Sequence, residues 1–189
     1  MADSVALVGM SGVGKSSVGR TLAAMCSLRF IDTDKEIEKR AGCSVSEIFR
    51  RFGEPHFRAL EREIMRRMSR IPFIVLACGG GAVTDPENVK MLKENSFVVY
   101  LSATAETIAS HIGKAESRPL LAGDPQERIK RLLCERERLY IDVADEIIDC
   151  NGADMRFVAN EAAERLMNSE NAKAAELKRF VKRMSGLRG

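Results

Sequence analysis

The stretch Gly9-Met10-Ser11-Gly12-Val13-Gly14-Lys15-Ser16-Ser17 fits G-x-x-x-x-G-K-[ST], a spacing that suits a nucleotide's phosphates. Glycines let backbone N–H groups turn inward around phosphate oxygens, and the helix that follows, read over Val18–Cys26, adds partial positive charge from its N-terminus. Gly12, Val13, Gly14, Ser16 and Ser17 would then contact ATP. Lys15 would reach its β- and γ-phosphates, and the Ser16 hydroxyl would ligate Mg2+. Nucleotide binding follows from this stretch; the phosphate's destination must come from elsewhere.

Phosphoryl transfer needs a metal site, cations on the phosphates, a holder for the acceptor hydroxyl and a lid that excludes water. The chain has residues for each. Asp32 and Asp34 end a short apolar run, so Asp32 would serve the metal through water and Asp34 would hold the hydroxyl. Gly79-Gly80-Gly81 closes another apolar run, where missing side chains let backbone approach a ligand. Arg118 lies in an aperiodic segment, 113–123, of a length common for lids, and would serve the phosphates. Arg58 and Arg136 sit beside Phe57 and Leu139 on predicted helices. Two guanidiniums facing one pocket point to an acceptor carboxylate, which arginine grips with a two-pronged fork. Either arginine could instead be a surface residue. Glu61, three residues after Arg58, shares its helix face and can hold the guanidinium in place.

Five apolar runs separated by helical patterns must position these groups: residues 5–8, 28–31, 73–77, 97–101 and 146–149. The run 73–77 does not alternate, which marks a strand buried on both faces of a parallel sheet. Ser44 and Glu47 read as a capping box for a helix through Phe52, Gly53 breaks it, and Pro55 opens a second helix to about Arg70. Further helices are predicted from Asp85-Pro86, over about 104–112, from Asp124 past Arg136 and Tyr140, and over 155–167. One doubly wound α/β domain, residues 1–168, is the economical architecture. Residues 172–184 space Leu177, Phe180, Val181 and Met184 as a basic amphipathic helix, in a tail of residues 169–189. The tail could pack on this domain, on another copy or on an acidic partner.

Composition excludes several classes. The 189 residues are 45% hydrophobic and 30% charged, with a net charge of +3. Six basic and two acidic residues in the tail leave the body near −1, so nucleic acid is not an expected partner. No run approaches a membrane span, and the first strand begins too early for a leader peptide, so a cytoplasmic protein is expected. The five cysteines never form a C-x-x-C pair and read as reduced interior thiols.

The strings GMSGVGKSSVGR, FIDTD, EIF with FGEPHFRALE, CGGGAV, VVYLSAT, SRPLL and ERERLY follow one another as they do in shikimate kinases. Over residues 4–168 the chain resembles that family. The resemblance implies transfer of the γ-phosphoryl group of MgATP to the 3-hydroxyl of shikimate, a step toward chorismate and the aromatic amino acids. It implies that Asp34 binds ring hydroxyls and accepts the departing proton, with Lys15 and Arg118 on the phosphates. Arg58 and Arg136 would bind the carboxylate, Glu61 would orient Arg58, Gly80 and Gly81 would line the ring, and Phe49 and Phe57 would wall the pocket. The implied fold is nucleoside monophosphate kinase-like, a five-stranded parallel sheet in the order 2-3-1-4-5 with a lid.

Two departures touch the adenine. His111 stands where many members carry an arginine, and could stack on the base; the loop Asn151–Asp154 lacks a basic residue that some members have. A monomer is expected, with the tail able to support self-association. The rival readings are a kinase of another small acid, such as gluconate, and a nucleotide-binding regulatory module. The latter would be expected to carry a guanine-reading N-K-x-D, which does not occur, or a D-x-x-G switch, a string found only at Asp149–Gly152, at the end of the fifth run.

Overall fold

In a computed structural model of the chain, residues 3–112 and 125–186 are described. Five strands form one parallel sheet: β1 (Ser4–Val8), β2 (Arg29–Asp32), β3 (Ile74–Ala77), β4 (Ser96–Ser102) and β5 (Glu146–Asp149). Their order is β2-β3-β1-β4-β5, as expected. The three inner strands carry the unbroken apolar runs: β1 and β3 are buried at every residue and β4 at all but Ser102. Each buried Val, Leu or Phe there stabilises the fold by about 1.5–3 kcal/mol. The edge strands are more polar, and Ile147 of β5 faces outward.

Register sets the site. Asp32 pairs with Ala77, Ala77 with Leu7, and Leu7 with Val99. Two residues beyond that row come Asp34, Gly79 and Gly9, so the aspartates, the triple glycine and the phosphate loop leave neighbouring strands side by side. The chain steps from β1 to one side of the sheet and later crosses to the other. That reversal opens a crevice at the carboxyl ends of the strands.

The helices are α1 (Lys15–Cys26), α2 (Thr33–Ala41), α3 (Val45–Met68), α4 (Pro86–Asn95), α5 (Ala105–Ile112), α6 (Pro125–Val143), α7 (Met155–Asn168) and α8 (Ala175–Gly186). Sequence patterning did not predict α2. Asp32 caps it, accepting from Lys35 N, and only Thr33 and Ile37 along it are buried. α3 runs through the two helices expected, with a kink where Gly53 adopts φ 79° and ψ 173°. Ser44 caps α3, but the Glu47 carboxylate pairs with Arg50 and Arg51 rather than completing a reciprocal box.

The tail lies against the body of its own chain. Leu177 and Val181 are buried, Phe180 stacks on Phe73 at 4.1 Å, and Lys173 pairs with Asp145 at 2.9 Å. Phe73 has a left-handed φ of 57°, a strained conformation for an aromatic residue. Cys26, Cys78 and Cys150 are buried, Cys43 is half-buried and Cys134 is exposed, so the expectation of interior thiols fails for Cys134. The segment expected as a lid, with Arg118, lies outside the described residues. No helix among the described residues is long and apolar enough to cross a membrane.

Candidate active site

The phosphate loop is built on glycines with positive φ: Gly9 at 140°, Gly12 at 92° and Gly14 at 104°. Gly14 stands at the N-cap of α1, so the helix N-terminus opens toward the loop. Lys15 is the first residue of the helix and is buried. Its ammonium donates to the carbonyls of Gly9 and Met10 at 2.8 Å each, which holds the charge across the loop. Val13 is fully buried in the core, so its contribution to the loop is its backbone. Ser17 is exposed and its amide closes a turn onto the Gly14 carbonyl.

Ser16 and Asp32 meet. The Ser16 hydroxyl donates to Asp32 Oδ2 at 2.6 Å, bringing two hard oxygens, from the start of α1 and the end of β2, together beside the phosphate loop. Two protein oxygens suit Mg2+, which keeps water and substrate phosphate oxygens in its remaining positions.

Asp34, Glu61 and Arg58 surround the triple glycine. A Cβ on Gly79 would lie 2.7 Å from Asp34 Oδ1 and 2.9 Å from Glu61 Oε1. A Cβ on Gly80 would lie 2.8 Å from both the amide nitrogen and the hydroxyl of Ser11 in the phosphate loop. At Gly81 it would lie 2.5 Å from Arg58 Nη2. The glycines are needed because other groups already fill those positions.

Arg58 is gripped from two sides, by Glu61 at 2.7 Å and by Glu54 at 2.9 Å, and its guanidinium lies over the Phe57 ring. Burial works against the Arg58 charge, but the two carboxylates outweigh it and raise its pKa above the ordinary value. Burial likewise pushes the Glu61 carboxyl up; Arg58 pulls it down without cancelling the effect, and the charges of Asp34 and Asp85 push the same way as burial. Glu61 Oε1 is buried and has no hydrogen-bond partner among the described residues, an arrangement that leaves an acceptor facing Gly79. Phe49 and Phe57 pack ring to ring at 4.6 Å on α3.

From the far side of the crevice, Arg136 on α6 donates to the Gly80 carbonyl at 3.4 Å. His111, at the end of α5, has Nδ1 3.1 Å from the Gly12 carbonyl, and Ile112 crowds Gly12. The Met155 sulfur, at the start of α7, covers Gly14 in the same way.

Thus the structure gathers Lys15, Ser16, Asp32, Asp34, Glu61, Arg58, Gly80, Gly81 and Arg136 around the carboxyl ends of β1, β2 and β3, with Phe49 and Phe57 packed beside Arg58. Arg118 is outside the described residues. Three contributors were missed by sequence reasoning. Thr33 is fully buried and accepts from Gly79 N at 2.9 Å. Tyr140 donates its hydroxyl to the Gly80 carbonyl. Glu54 is the second carboxylate on Arg58. Their signals are faint: Glu54 and Tyr140 each stand one helical turn from an arginine already singled out, and Thr33 stands between two aspartates.

A family model described as shikimate kinase matches residues 11–167. The chain belongs to the shikimate kinase family. A shikimate kinase from Caldanaerobacter subterraneus subsp. tengcongensis is 44% identical over 152 residues, covering 77% of this chain and 89% of its own. Among solved structures, a shikimate kinase from Acinetobacter baumannii in complex with shikimate is 34% identical with a TM-score of 0.86, covering 91% of this chain and 96% of its own. A gluconokinase from Sinorhizobium meliloti 1021, at 14% identity and a TM-score of 0.51, shares the fold alone, with 99% of this chain and 98% of its own covered. The sheet order and the family together make the fold nucleoside monophosphate kinase-like.

Proposed function

We propose that this chain transfers the γ-phosphoryl group of ATP to the 3-hydroxyl of shikimate, giving 3-phosphoshikimate, with the residue roles that follow. The observation carrying the assignment is the contact between its two loops: Ser11 of the phosphate loop lies against Gly80, so a nucleotide's terminal phosphate and an acceptor over the triple glycine would be neighbours. Bringing reactants together in this way supplies much of what phosphoryl transfer requires.

Asp34 holds the acceptor hydroxyl and takes its proton as the new P–O bond forms. Arg58 and Arg136 bind the carboxylate from opposite sides, Glu61 and Glu54 fix the Arg58 fork, and Gly80 and Gly81 lie under the ring. Phe49 and Phe57 wall the pocket. Lys15 turns from the Gly9 and Met10 carbonyls to the phosphates, and Arg118 reaches them from a lid spanning 113–123. Ser16, and Asp32 through water, would hold Mg2+, and their hard-oxygen donor set fits that ion. When bound, the ion neutralises charge on the phosphate oxygens. His111 stays beside the nucleotide through the Gly12 carbonyl. The body of residues 1–168 and the tail of 169–189 act as one cytoplasmic monomer, a state that sedimentation would check.

The test is ADP release in a coupled assay. Shikimate should stimulate it strongly, gluconate and a shikimate analogue lacking the carboxylate should not. Equal stimulation by gluconate, or release indifferent to the carboxylate, would overturn the assignment.

A further inference from the structure

The triple glycine offers a ligand only its amide groups, and these point where their peptide planes are held. In a planar trans peptide the C=O and the following N–H are opposed. The Gly79 carbonyl accepts from Ala82 N at 3.0 Å, which turns the Gly80 N–H the other way. The Gly80 carbonyl is held by α6, through the Tyr140 hydroxyl and, at 3.4 Å, Arg136 Nη1; this turns the Gly81 N–H away from that helix. Among the described residues, neither the Gly80 nor the Gly81 N–H donates to a protein acceptor.

The two holders on α6 are not equivalent. Arg136 makes a long bond, and the proposed function turns its guanidinium toward the acceptor's carboxylate. Tyr140 is fully buried, its ring stacked on Tyr100 with centroids 5.1 Å apart, and its hydroxyl also lies 3.6 Å from Met10 Sδ in the phosphate loop. Burial pushes the phenol's pKa up, with Arg136 pulling the other way, so the group stays a donor at neutral pH. In the free protein Arg136 would still hold the Gly80 carbonyl if the phenol were lost, but once Arg136 has turned to the acid, only Tyr140 compensates that carbonyl for being out of water.

We infer that Tyr140 is a positioning residue for the acceptor: its hydroxyl keeps the Gly80–Gly81 peptide in one orientation after Arg136 has turned to the bound acid. The inference rests on the acceptor site proposed above. It predicts a division of effects, because the Tyr140 hydroxyl bonds to the acceptor loop at the Gly80 carbonyl, while its longer contact with the phosphate loop is to the Met10 side chain, which is assigned no contact with the nucleotide.

The experiment is steady-state kinetics on Tyr140→Phe, with Arg58→Ala and Arg136→Ala in parallel. Tyr140→Phe should raise the KM for shikimate about tenfold, the usual worth of one such hydrogen bond, and leave the KM for ATP and the melting temperature near the parent's. An unchanged shikimate KM, or both KM values rising together with a lowered melting temperature, would overturn the inference. If the arginine variants alone raise the shikimate KM, the acceptor site stands and only the role of Tyr140 falls; if none of the three does, the site falls as well. Should Tyr140→Phe fail to fold, NMR on the parent protein decides: the Tyr140 hydroxyl proton should stay protected from exchange at saturating shikimate, and its loss would overturn the inference.

Discussion

The Asp34 and Glu61 carboxylates, on different helices, converge on one spot: each has an oxygen within 2.9 Å of where residue 79 would carry a Cβ. Gly79→Ala therefore forces that pair apart. Gly79 has no left-handed φ, so the penalty is steric rather than conformational. Overpacking of this kind costs about 1–3 kcal/mol. Thermal melting of Gly79→Ala should register that loss, and shikimate turnover should fall further than ATP binding. An alanine variant with the parent's stability and kinetics would mean the pair yields freely.

Glu61 gives the pH dependence a direction. Burial raises its carboxyl above the ordinary 4.5, so the folded protein holds this proton more tightly than the unfolded chain. Its contribution to stability is present below pH 4.5 and is lost as pH rises through the raised folded value. Binding runs the opposite way: as pH falls through that window, Arg58 loses its buried partner and keeps only exposed Glu54. The kcat/KM for shikimate should show an acid limb there. Glu61→Gln should lower kcat/KM and flatten that limb; if the limb persisted unchanged in Glu61→Gln, another group would own it.

The cysteines should separate by reactivity. Burial pushes the thiols of Cys78 and Cys150 up to about 12 and that of Cys26 to about 11, leaving almost no thiolate at neutral pH. Cys134 is exposed on α6. Brief alkylation of the native protein followed by peptide mass spectrometry should find Cys134 modified and those three protected. Rapid modification of Cys78 would place the end of β3 in contact with solvent.

Much of this was legible because the chemistry is local in sequence. The phosphate loop, the pair of aspartates and the triple glycine each stand at the end of an apolar run, and runs buried on both faces do not alternate. Helix α2 was invisible to patterning: six of its nine residues are charged and only Thr33 and Ile37 are buried, so its support comes from the Asp32 cap and pairs such as Lys35–Glu38. The grips on the triple glycine were hidden for another reason. Thr33 and Tyr140 bond to backbone atoms 46 and 60 residues away, and a backbone partner leaves no residue type to read.

Asp34→Asn tests the central claim, that this aspartate receives the proton of a hydroxyl set against the phosphate loop. The variant is nearly isosteric and should fold, bind ATP as the parent does and melt at a similar temperature. In the shikimate-dependent ADP-release assay its kcat should fall by about 10²–10⁴, the range for a positioned base. A kcat equal to the parent's would contradict the account.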